Sequence, residues 1–68
     1  MQRRPAIHTS RRGAKWVNTR EGSEQTLGKY DTQTEAATAG RRLARADHAE
    51  HVSHRPDGLI DEITVAGG

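Results

Sequence analysis

Three histidines, His48, His51 and His54, stand three residues apart in "DHAEHVSHRPDG". Imidazole is a common metal ligand, so this stretch is the first to test for chemistry. Whether the three converge depends on secondary structure. One continuous helix would align them, but Val52-Ser53 and the approaching Pro56 argue against it. If a helix ends near Asp47, His48 falls at its C-terminus and favours the negative end of the dipole. His51 and His54 then lie in a following strand, three apart, and point to opposite faces. Zinc takes three or four ligands converging at about 2.1 Å, which opposite faces prevent. The spacing therefore predicts no metal site. His54 is expected to anchor a hairpin through a hydrogen bond, with His48 and His51 on the surface.

Other chemistry has less support. The chain has no cysteine, which removes disulfides, thiolate metal sites and a cysteine nucleophile. It contains neither a G-x-S-x-G elbow nor a phosphate-cradling P-loop. Asp61 and Glu62 are adjacent, so strand alternation turns them to opposite faces and away from a paired acid–base role. A chain of 68 residues with few large side chains has little room for a substrate pocket. The expectation is a non-enzyme with no cofactor and no small-molecule substrate.

Binding is the remaining class. Residues 1–20 carry Arg3, Arg4, Arg11, Arg12, Lys15 and Arg20 and no acid, whereas residues 46–68 hold five acids against Arg55. Such asymmetry suits a nucleic-acid-facing end. Two arginine pairs and a lysine around a hairpin fit a β-ribbon entering a groove of DNA or tracking RNA phosphates. Arg41, Arg42 and Arg45 extend that surface if the helix lies beside the hairpin. Trp16 is either a stacking platform for bases or, as the largest apolar side chain, part of the core. The alternative is a protein partner or a homodimer. Opposite charge at the two ends allows head-to-tail pairing of copies, and exposed edge strands invite strand addition. The net charge of only +2 weakens the nucleic-acid reading.

The elements that would position these residues are short. Thr32 caps a helix over 31–47 by accepting from the Glu35 amide, and Glu35 reaching back completes a capping box. Ala36, Ala39, Gly40 and Leu43 form its apolar face, flanked by Ala44 and Ala46. Its arginines lie toward the C-terminal end, where cations suit the dipole. Gly40 costs about 1 kcal/mol relative to alanine, which a close approach to a sheet would offset. Strand-like runs occupy 6–9, 14–21 and 24–31, with "SRRG" as the first turn. After the helix, "EHVSHR" and "LIDEITV" flank "PDG", a turn by composition. Leu59, Ile63 and Val65 share a strand face that Asp61 interrupts. The order β-β-β-α-β-β predicts an α+β fold, a small antiparallel sheet with one helix packed on one face. A single domain spans 1–68, with loose ends at 1–4 and 66–68. No run is long and apolar enough to span a membrane, and no signal-peptide core follows the basic start, so a cytoplasmic protein is expected.

Trp16-Val17, Tyr30 ahead of "TQTEA", "AGRRLAR" and "H-R-P-D-G-L-I" together resemble the small bacterial domain-of-unknown-function family 2188. The resemblance covers residues 14–62. It departs from the family pattern in placing alanine and glycine at helix positions that are usually bulkier. It implies a fold and no activity.

Overall fold

A computed structural model describes residues 4–65 of the chain. The elements run β1 (Ile7–Arg12), β2 (Lys15–Arg20), β3 (Thr26–Tyr30), α1 (Gln33–Asp47), β4 (His51–His54) and β5 (Ile60–Thr64). The fold is α+β, with one helix on one face of a five-stranded sheet of order β3-β2-β1-β4-β5. The sheet is mixed rather than wholly antiparallel. Three pairs are antiparallel, but β1 and β4 run parallel, with Ile7 opposite His51 and Thr9 opposite Ser53. The cause is topological: β1–β3 form a meander, and α1 then crosses back over it to deliver β4 beside β1. A parallel neighbour requires such a crossover. Residue 3 and residues 1–2 and 66–68, most of the expected loose ends, lie outside the described residues.

The helix begins as the sequence predicts. Thr32 is the N-cap and its Oγ1 accepts the Glu35 amide at 3.2 Å. The return contact differs: the Thr32 hydroxyl donates to the Glu35 carboxylate at 3.0 Å. At the other end His48 adopts the left-handed conformation, φ 55°, and its amide meets the carbonyls of Ala44 and Arg45. The buried stripe is Ala36, Ala37, Gly40 and Ala44. Ala39 and Leu43 are only half-buried and Ala46 is exposed, so the face is rotated from the one expected.

β1 runs through the anticipated first turn, and the reversal occurs instead at Gly13-Ala14, with Arg12 paired to Lys15. Gly13 at φ 63° with Ala14 outside the positive region is the pattern of a type II′ hairpin. Two irregularities follow, one opposite Asn18/Thr19 and one in the β4–β5 pair at Ser53/His54. The second breaks the alternation expected over 59–65. Ile60 and Ile63 lie opposite His54 and Val52, and Asp61 becomes the extra residue. Leu59, Ile63 and Val65, expected to share a face, are all exposed.

Ala6, Ile7, Val17, four helix and loop alanines and Val52 form the apolar core. Trp16 is half-buried, paired across strands with Tyr30, so it is a flank of the core rather than its centre. β2 and β3 lie toward one side of the sheet, and the helix centres instead on β1.

Candidate functional site

Beneath the helix the core is polar. Thr9, Asn18, His51 and Ser53 are all buried, on strand positions that face α1. Gly40 sits directly above them: a Cβ there would stand 2.7–2.8 Å from His51 Nε2, Asn18 Oδ1 and Thr9 Oγ1. The hydrogen bonds form one chain. Asn18 Nδ2 donates to the Ala36 carbonyl at 2.9 Å, which turns its Oδ1 toward Thr9. The Thr9 hydroxyl donates to that oxygen. Its single proton is then spent, so Thr9 Oγ1 accepts Nε2–H of His51 at 2.7 Å. His51, expected on the surface, is only 1% exposed. Alternation correctly separates it from His54, but β4 proves to be an inner strand whose helix-facing side lies under α1. Burial, with Arg41, His8 and His54 nearby, pulls its pKa down to about 4. At neutral pH the ring is therefore uncharged, protonated on Nε2, with a lone pair on Nδ1.

A histidine pair occupies the opposite face. His8 and His54 stack with ring centroids 5.1 Å apart, and His8 Nδ1 lies 2.8 Å from His54 Nε2. The outer nitrogens both meet acceptors: His8 Nε2 donates to Glu21 at 3.1 Å, and His54 Nδ1 to the Gly58 carbonyl at 3.1 Å. The last contact is the hairpin anchor predicted for His54.

The residues expected to bind nucleic acid are dispersed. Arg3 lies outside the described residues, and Arg4 is exposed near Glu21 and Glu50. Arg11, Arg12 and Lys15 surround the β1–β2 tip. Arg11 is turned onto the Gly13 carbonyl, and Arg12 reaches Thr26. Lys15 pairs with Asp31, which raises the lysine pKa and lowers that of the aspartate, chiefly through their hydrogen bond. Arg20 pairs with Asp47 at 2.6 Å. That contact fixes the helix C-terminus at the end of the sheet away from the tip, whereas Asp31 and the helix start lie near the tip. The helix arginines are therefore far from the hairpin pair, and they divide between two flanks. Arg41 and Arg45 border His51 and Thr64, while Arg42 borders Leu27 and Tyr30. None of these three makes an ion pair with a described residue.

The acidic end is built on β5, an edge strand. Leu59, Ile60, Ile63 and Val65 are 60%, 52%, 51% and 68% exposed, so most of the large aliphatics left outside the core lie in one segment. Its bulge brings Asp61 and Glu62 to one shallow depression with Gln33, Arg41 and Ser53, where alternation would have separated them. Among the described residues no three His, Asp or Glu side chains are grouped to hold a metal. No described helix is long and apolar enough to cross a membrane. Sequence reasoning missed the His8–His54 pair, since the parallel β1–β4 register that joins them leaves no local mark.

The model of a family described as an uncharacterized protein conserved in bacteria, domain of unknown function 2188, matches residues 7–64. The chain belongs to that family. Neither the curated proteins nor the solved structures give a match.

Proposed function

We propose that this member of the family is a non-enzymatic binding module that takes a polypeptide strand along the outer edge of β5. One observation carries the reading: four exposed large aliphatics lie within residues 59–65, two on β5 and two flanking it, and β5 has a neighbour on one side only. An edge strand offers unpaired backbone donors and acceptors, and strand addition draws affinity from them and specificity from alternate side chains. The occupant that fits is the β3 edge of a second copy. β3 carries exposed Leu27 and Lys29 and no acid, complementary to Asp61 and Glu62. Two β5 edges would instead oppose like charges, which is unfavourable. A β3-to-β5 contact is heterologous and adds copies head to tail.

Sedimentation velocity from about 10 μM to about 1 mM spans the range in which a contact of about 4–7 kcal/mol fills. The expected result is concentration-dependent growth that Ile63→Lys removes without changing the circular dichroism spectrum. A monomer throughout, indifferent to Ile63→Lys, overturns the reading.

A second reading, nucleic-acid binding, is favoured by Arg11 and Arg12, exposed at the hairpin tip and without a carboxylate partner among the described residues. Phosphate contacts release counterions, so binding to a short duplex should weaken steeply between low and physiological salt. Replacing Arg11 and Arg12 with alanine should remove it, and unchanged affinity would exclude the hairpin as the binding surface.

A further inference from the structure

The C-terminal half of α1, Ala49 and the end of β5 line an open pocket of about 60 Å³. A volume of ~10–15 Å³ suffices for one water, so this space has room for one small polyatomic group. Its polar lining is Arg41, Arg45, His51 and Thr64, over a floor of alanines. Arg41 and Arg45 are one helical turn apart and share a flank. Neither is neutralised by a carboxylate of the described residues. Thr64 is the register partner of His51, which sets its hydroxyl-bearing side chain beside the imidazole.

His51 supplies the selective feature. Its Nε2–H is committed to Thr9 by the proton chain from Ala36 through Asn18. Nδ1 has no hydrogen-bond partner among the described residues; since none of their buried side-chain polar atoms lacks a partner, Nδ1 is reached from the cavity that the ring lines. That lone pair is free to accept a donor from a bound group. A ligand that satisfies this lining therefore offers oxygens to two guanidinium groups and a proton to Nδ1. The carbonyls nearest the cavity do not compete, because those of Ala44 and Arg45 already accept the amides of Ala49 and His48. The negative end of the helix dipole amounts to roughly half a charge, against two full charges from the arginines.

We propose that this cavity is a binding site for a protonated phosphate group, either hydrogen phosphate or the monoprotonated phosphate of a small ester. The P–O oxygens accept from Arg41, Arg45 and Thr64, for which the planar guanidinium fork is well suited. The remaining O–H donates to Nδ1 of His51. Sulfate has the same shape but no proton at neutral pH, so it would set an oxygen lone pair against that of Nδ1. The site thus discriminates by the proton rather than by size. This inference is independent of strand addition at β5 and survives its failure.

The test is an amide NMR titration of the ¹⁵N-labelled full chain at pH 7.5, with sodium phosphate or sodium sulfate at matched ionic strength. Phosphate is expected to move the amides of Ala44, Ala49, His51, Thr64 and Val65 saturably, and to shift His51 Nδ1 in an imidazole ¹⁵N spectrum. Sulfate should act at least ~10-fold more weakly, equivalent to one lost hydrogen bond to a charged partner. The double substitution Arg41→Gln, Arg45→Gln should abolish saturation while leaving other amides in place. Glu62→Gln should tighten binding, because Glu62 shares with Arg41 the neighbouring depression and competes for its guanidinium. An equal response to the two anions overturns the proposal. So does the lack of a saturable response to phosphate up to about 20 mM, where a millimolar site would be nearly full. A parallel titration with glycerol phosphate at about pH 5.5, where the ester keeps one proton, separates the sources. Saturation there means that the site accepts the terminal phosphate of a larger molecule, and silence there beside saturation by phosphate restricts it to the free anion.

Discussion

Gly40→Ala sets two opposing effects against each other at one position. In an exposed helix the change is stabilising by about 1 kcal/mol, since glycine loses the most backbone freedom on helix formation. Here the new Cβ would stand 2.7 Å from His51 Nε2 and 2.8 Å from both Asn18 Oδ1 and Thr9 Oγ1. These atoms are not free ends that swing into solvent; all three side chains are buried and bonded to one another. Overpacking of this kind costs about 1–3 kcal/mol. Displacing Thr9 breaks at least one bond of the cluster and leaves a buried polar group unsatisfied, at about 1–3 kcal/mol more. The net expectation is a loss of about 3 kcal/mol. Domains of this size hold only about 3–5 kcal/mol in total, and each kcal/mol moves the melting temperature by about 4–8 °C. Thermal unfolding followed by far-ultraviolet circular dichroism should therefore show a fall of roughly 10–25 °C, with the urea midpoint reduced to match. Thr38→Ala, on the exposed side of the same helix, isolates the propensity effect and should not destabilise. A Gly40→Ala protein as stable as the parent would refute the reasoning, because the helix would then be able to lift without disturbing the polar layer.

Acid should destabilise the fold through His51. Its pKa is lowered from 6.5 to about 4 in the folded state, so the unfolded chain takes up the proton first as the pH falls. The stabilisation is full above pH 6.5 and is lost as the pH drops toward 4, by about 3 kcal/mol. Urea midpoints between pH 7.5 and 4.5 check this, and a flat profile would contradict a neutral buried imidazole. Thr32→Ala removes the helix cap and should cost about 1 kcal/mol, read as a lower urea midpoint with unchanged slope; Thr32→Ser should recover most of it.

The helix was legible because its signals are local. Thr32 and Glu35 mark its start, and the anomalous glycine at position 40 points to a close approach. What approaches was not legible, since Thr9, Asn18 and His51 come from three strands and meet only through the sheet register. Alternation rightly predicts that His51 and His54 face opposite ways, but it carries no information about which strand is inner and which is edge. His51 was therefore placed at the surface. The bulge at Asp61 likewise leaves no mark in composition, and it moved Ile60 into register where Leu59 and Asp61 had been expected. The cavity beside His51 depends on the same unseen pairing of β4 with β5. Trp16 illustrates a further limit: size alone suggested a core residue, whereas it is half-buried and the fully buried apolar side chains of the strands are Ile7 and Val17.

The parallel pairing of β1 with β4 also governs the order of assembly. β1 acquires β2 through a two-residue turn, but its other neighbour begins at His51, 44 residues beyond Ile7 in the pairing register. Closing so long a loop is the slow part of such a fold. The β1–β3 meander and α1 can form from local contacts while one edge of β1 waits unfilled. Until β4 arrives, Thr9 has no imidazole to accept from, and the stacked His8 has no companion ring. The two histidine contacts thus act as a late check on register: a slip of one residue would turn His51 out from under Gly40 and separate His8 from His54 in the same step.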